Sequence, residues 1–305
     1  MDRDELRERI RRLTFASPAL ARAFARGDFR SVFRGRGIEF DSLRDYSLED
    51  DARIIDWNAT ARSGRPFVRT YREDRSLALM LLIDVSRSMD QGAGELSKLD
   101  AAVLASSLVA YAAQLREMPV GCLVFARTVL RKLAPRRGKA HALAVADAAA
   151  AASRLGRPTR GGEAPRDAAD ESGPGLPAAL GAASIALKRR SLVLVFSDFR
   201  DPGWARPLGE LRRRHDVVAV RMTDRSDLEP PGRGSFRVVD PETGEAAWLP
   251  LGSRAFRERW KASGLERRSS CLEACASSGV PVLEIDAADD PVRRLLEFFE
   301  RRRKA

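Results

Sequence analysis

The sequence predicts an α/β protein with a mostly parallel sheet flanked by helices. Three observations carry this: apolar runs of strand length at residues 77–84, 120–125, 191–196, 217–222 and 280–285, helix-length segments between most of them, and acids where two of the runs stop. Strands buried on both faces read as continuous apolar runs, and parallel neighbours need crossover connections, which these intervening helices supply.

Taken in order, Leu6, Ile10 and Leu13 fall at helical spacing, and Ser17-Pro18 reads as an N-cap followed by proline at the first helical position. Residues 1–27 are therefore expected to be a helical region stopping near Gly27. Residues 28–75, rich in arginine and acids, form a separate segment of mixed α+β character, with extended pieces at 38–40 and 66–71, expected to pack on the domain that follows.

From residue 76 to 305 the pattern alternates. Strand 77–84 leads to helix 98–116, strand 120–125, an edge ribbon at 128–133 and helix 141–155. Residues 156–175, dense in Gly, Pro and charge, predict a flexible loop. Helix 176–188, strand 191–196, strand 217–222, a hairpin around 240–245, helix 254–277, strand 280–285 and helix 291–302 follow.

The chain has 305 residues and a formal charge of +11, from 54 Lys plus Arg against 43 Asp plus Glu. The basic residues are spread and alternate with acids, unlike the concentrated, aromatic-interleaved patches of nucleic-acid binders, so a basic nucleic-acid-binding protein is only an alternative reading. No apolar run approaches the roughly 20 residues of a bilayer span, and the amino terminus lacks a secretory apolar core, so a cytoplasmic location and no membrane span are expected. Cys122, Cys271 and Cys275 do not make a disulfide framework and read as reduced packing residues.

The chemistry concentrates at strand ends. Asp84, Ser86 and Ser88, in LALMLLIDVSRS, sit where the first parallel strand stops, and Asp198, in Ser197-Asp198-Phe199, sits where a later one stops. Ligands of open α/β sheets bind at the carboxyl ends of strands. Carboxylates and hydroxyls are hard oxygen donors, suited to magnesium or manganese rather than zinc. A metal-dependent phosphohydrolase is the enzymatic alternative, but His141 and His215 fall in helix or helix-to-strand surface contexts, and neither a Walker A loop nor a dinucleotide fingerprint is present. Upstream, Glu39, Asp50, Asp51 and Asp56 alternate with Arg44, Arg53, Arg62 and Arg69, which predicts a structural ion-pair network, and Trp57 reads as a core anchor.

DVSRS after an apolar strand, followed about a hundred residues later by an apolar strand ending SDF, resembles a von Willebrand factor A-type domain with its Rossmann-like sheet. The upstream GRGIEFDSLRDYSLEDDARIIDWNATAR, with VGCLVF at 120–125 and DPETGE at 240–245, is similar to the bacterial domain of unknown function family 58. The resemblance implies a metal-ion-dependent adhesion site of Asp84, Ser86, Ser88 and Asp198 holding Mg2+ or Mn2+, one coordination position being left for a partner's carboxylate. It also implies a non-catalytic interaction module, an adaptor or chaperone-like partner of a MoxR-type AAA+ ATPase, with an acidic client motif. Two departures are visible: Pro174 stands where the family pattern has a loop threonine, Ser172 and Thr159 being the nearest hydroxyls in that loop, and Glu49 replaces the glycine of a Gly-Asp-Asp motif.

Overall fold

The computed structural model describes residues 38–47, 50–51, 55–73, 77–152, 175–230, 232, 234–239 and 246–304. The helical expectation for 1–27, most of the 156–175 loop with Pro174, Ser172 and Thr159, Glu49, Arg53 and the 240–245 turn lie outside them. The chain divides into two compact units, residues 33–77 and the remainder.

The smaller unit holds an antiparallel pair, β1 (Ile38–Asp45) and β2 (Phe67–Glu73), whose register shifts between Phe40 and Ser42. Between them lies a short helix, α1 (Trp57–Ser63), absent from the sequence expectation. Asp56 caps it by accepting the Asn58 and Ala59 N–H groups, and Gly64, at φ 72°, ends it in the left-handed conformation. Of the anticipated ion pairs, Arg44 donates to Asp50 (2.7 Å), which also accepts the Ser47 N–H at 3.0 Å. Trp57 is not a core anchor: at the first position of the short helix it is 70% exposed.

The larger unit is built on a six-stranded sheet. Its strands are β3 (Ala78–Asp84), β4 (Val120–Phe125), β5 (Val129–Arg136), β6 (Ser191–Ser197), β7 (Asp216–Thr223) and β10 (Val282–Asp286). A separate hairpin, β8 (Ser235–Val239) with β9 (Ala246–Pro250), precedes β10. The order across the large sheet is β10-β7-β6-β3-β4-β5, all parallel except β5, which runs antiparallel along β4 at the edge. The chain leaves β3 toward β4 and later returns to β6 on β3's other side, so the crossover direction reverses between β3 and β6.

The helices are α2 (Lys98–Leu115), α3 (Lys139–Ala152), α4 (Leu176–Ala186), α5 (Ala205–Arg214), α6 (Arg254–Ser277) and α7 (Pro291–Lys304). Alternate residues of each strand face opposite sides of the sheet. Met80, Leu82, Leu123, Phe125, Val193 and Val195 share a buried core with Leu176 and Leu180 of α4, Leu208 and Leu211 of α5, and Cys271 and Cys275 of α6. All three cysteines are free and buried, as their packing role requires. α2, alanine-rich and buried along most of its length, packs on β3 with α3 and α7 beside it. α5 went unread in the sequence, where Pro207 and Gly209 interrupt the Leu208/Leu211 spacing. His215 is not at the surface, because it begins the return from α5 into β7 and is 2% exposed.

Candidate functional site

The reversal between β3 and β6 opens the position at which open α/β sheets take their ligands. Asp84 ends β3 and Asp198 directly follows β6, in adjacent parallel strands. Beyond Asp84 the chain turns through Val85 and Ser86 into a 3-10 turn, Arg87–Asp90. Ser86 and Ser88 place their hydroxyls 3.2 Å apart, and the four residues singled out in the sequence converge.

They are joined by hydrogen bonds. Asp84 Oδ1 accepts the Ser86 N–H at 2.9 Å, and Oδ2 accepts the Ser197 hydroxyl at 2.6 Å. The Ser86 hydroxyl also engages Asp84, and the Ser88 hydroxyl engages Asp198. Ser197 Oγ in turn accepts the Phe199 N–H at 3.0 Å. Phe199 has φ 56°, a left-handed conformation that costs a non-glycine residue on the order of 1 kcal/mol. Trp204 holds it there, donating its indole N–H to the Phe199 carbonyl (3.2 Å) and packing edge-on at 5.0 Å. That sharp bend turns Asp198 into the cluster.

The residue that sequence reasoning missed is Lys98. Its side chain is wholly buried, and Nζ lies 2.8 Å from Asp198 Oδ2 and 3.5 Å from Asp227 Oδ1. It opens α2 behind Ser97, whose side chain forms a reciprocal capping box with Asp100. The preceding loop is folded tightly enough that a Cβ on Gly92 would stand 2.6 Å from the Leu96 carbonyl oxygen. Both oxygens of Asp224 accept the Ala93 N–H, at 3.0 and 3.1 Å, tying this loop to the end of β7. Asp224 also caps the turn Arg225–Asp227, which positions Asp227. Arg200 completes the cluster, donating to Asp227 at 2.6 Å with Nε 3.4 Å from Asp198. The available sequence signal was Ser97-Lys98-Leu99-Asp100: a capping box whose first helical residue is a cation at the positive end of the helix dipole.

The electrostatics follow from this wiring. Burial, and then the charge of Asp198, push the Asp84 carboxyl up to about 7. Burial acts on Asp198 in the same direction, but Lys98 and Arg200 outweigh it and hold that carboxyl below its ordinary value. Lys98 and Arg200 thus lie against Asp198 and Asp227, whereas Asp84 meets hydroxyl and amide donors and the charge of Asp198.

The donor types and the close Ser86–Ser88 pair suit the hard-oxygen shell of magnesium. The charge does not. Asp198, the carboxylate a divalent ion would need, already carries the Lys98 ammonium and the Arg200 guanidinium, and both Asp84 oxygens accept protein donors. In this arrangement the residues do not fit a resident divalent ion. Among the described residues, no group of three or more His, Cys, Asp or Glu side chains is placed to hold a metal. Nor, among the described residues, is any helix long and apolar enough to cross a membrane.

Several known proteins are similar to this chain. The uncharacterized protein Rv1480 of Mycobacterium tuberculosis is 27% identical over 279 residues, covering 91% of this chain and 84% of the relative. The uncharacterized protein MAV169 of Mycobacterium avium is 29% identical over 118 residues, covering 38% of this chain and 69% of the relative. Among solved structures, an aerotolerance-related membrane protein from Bacteroides fragilis, carrying multiple mutations to serines, aligns with a TM-score of 0.43 and 15% identity, covering 75% of this chain and 99% of that one. The family model described as "Protein of unknown function DUF58" matches residues 42–270, and with well over half of its length inside that match the chain belongs to the DUF58 family.

Proposed function

We propose that the larger unit is a von Willebrand factor A-type domain and that the protein is a non-catalytic interaction module, an adaptor or chaperone-like partner of a MoxR-type AAA+ ATPase. The observation that carries this reading is the convergence of Asp84, Ser86, Ser88 and Asp198 at the reversal between β3 and β6, a binding position in open sheets. Nucleophilic catalysis finds little support there, because the serines hydrogen-bond carboxylates and each other, and no histidine contacts them in the contacts described. An acidic client motif is the partner chemistry that the resemblance supplies, and Arg200 is the partly exposed cation of the cluster able to meet it.

The test is direct binding between the purified protein and purified MoxR-type ATPase from the same organism. Saturable binding weakened about tenfold or more by Ser86→Trp, a bulky change at a partly buried residue of the cluster, supports the adaptor reading; binding that ignores this change, or none at all, removes it. A phosphohydrolase is the second reading, favoured by an Asp84 carboxyl near 7, where acid–base catalysts work. Turnover of phosphorylated substrates that collapses in Asp84→Asn would favour it over the adaptor.

A further inference from the structure

We propose that Lys98 is the resident cation of this site: its ammonium takes the place that a divalent ion has in an adhesion-type centre, and the site works without metal. The inference concerns the identity of the cation and does not depend on the ATPase partnership, so the two fail separately.

Lys98 is expensive where it stands. It is among the largest fully buried side chains of the protein, and withdrawing an ammonium from water is heavily disfavoured unless partners compensate it. It also occupies the first position of α2, where the helix dipole disfavours a cation. Two unfavourable terms at one residue require a compensating anionic site, and Asp198 at 2.8 Å with Asp227 at 3.5 Å provides it. Each is delivered by a different strand, Asp198 from the end of β6 and Asp227 from the turn after β7. The lysine therefore ties the start of α2 to two strand ends, as a shared metal ion would. Gly92 and Asp224 build the loop that brings it in.

The tether changes what the centre does. A metal ion with an open coordination position presents its charge to an incoming carboxylate, whereas the Lys98 side chain is 0% exposed and no partner atom reaches it. Recognition of an acidic segment then falls to the rim, where the Arg200 side chain is 32% exposed and held against Asp198 and Asp227. Binding of a partner at this surface should be indifferent to chelators.

The experiment is a manganese titration of the whole protein, followed by calorimetry and by electron paramagnetic resonance of the ion. Wild type is expected to bind no manganese at millimolar concentration. Lys98→Met, which keeps the length and removes the charge, is expected to bind one ion with a dissociation constant at least about tenfold below the millimolar concentration at which wild type binds none, and Lys98→Met/Asp84→Asn is expected to lose it. One-to-one sub-millimolar binding by wild type, abolished by Asp84→Ala, overturns the proposal, as does a folded Lys98→Met that binds no better than wild type. If Lys98→Met does not fold, nitrogen NMR of the lysine ammonium groups in wild type decides: a buried Lys98 signal unmoved by manganese supports the proposal, and one broadened at stoichiometric ion overturns it.

Discussion

Asp201 Oδ2 accepts the Leu176 N–H at 2.7 Å and lies where a Cβ on Gly175 would stand. The loop after β6 thus supplies the cap of α4, and Gly175, at φ 55°, is the residue that lets it approach. Gly175→Ala should lose at least about 1 kcal/mol, since it meets both a disallowed backbone and an occupied volume. Asp201→Ala should lose about 0.5 to 2 kcal/mol through the cap alone. Chemical denaturation of both variants checks this, and a Gly175→Ala variant as stable as wild type would remove the special role of the glycine.

Gly92→Ala should be costly for a different reason. Its Cβ would stand 2.6 Å from the Leu96 carbonyl oxygen and 2.8 Å from Ser97 Cα, both backbone atoms that cannot swing aside. A loss of about 1 to 3 kcal/mol in urea unfolding is expected, as for other overpacked sites. An unchanged midpoint would mean that the loop has room to move.

Asp84 gives the stability a slope with pH. In the unfolded chain it ionises through 3.8, whereas in the folded protein it keeps its proton up to about 7. Its contribution is therefore greatest at low pH and is lost as pH rises between those values. Asp84→Asn removes that loss, so the variant should gain on wild type across the window by at most about 1.4 kcal/mol per pH unit. Unfolding midpoints compared near its two ends test the sign; a difference that does not grow with pH refutes it.

His215 acts in the opposite sense. Burial, and then Arg214, hold its imidazole below the ordinary 6.5. The unfolded chain takes up the proton first, so stability is complete above 6.5 and falls as pH drops from there toward the lower folded value. His215→Gln should flatten the change in urea midpoint between about pH 7.5 and 5.5, the range in which an ordinary histidine titrates. An unchanged slope would show that other groups carry it.

Much of the architecture was readable because buried parallel strands leave continuous apolar runs. Val120–Phe125 and Arg254–Ser277 match the expected ranges, and Asp84 and Asp198 lie at the strand ends where the runs stop. What escaped reading was shaped by contacts distant in sequence. Lys98 looks like any surface lysine until Asp198, a hundred residues on, is brought against it. His215 follows three arginines and reads as surface, yet the turn from α5 into β7 carries it inside. Trp57 failed the other way, because its helix of seven residues has no buried residue.

The antiparallel edge strand β5 settles how the sheet ends. An unpaired strand edge is a natural template for a second molecule, and β5 sets the exposed Arg131, Lys132 and Arg136 along its length. Charge guards edges against self-association. A sheet whose interior strands are this apolar is thus closed by a charged border, and replacing Arg131 and Lys132 with valine should turn that guarded border into a seam for aggregation.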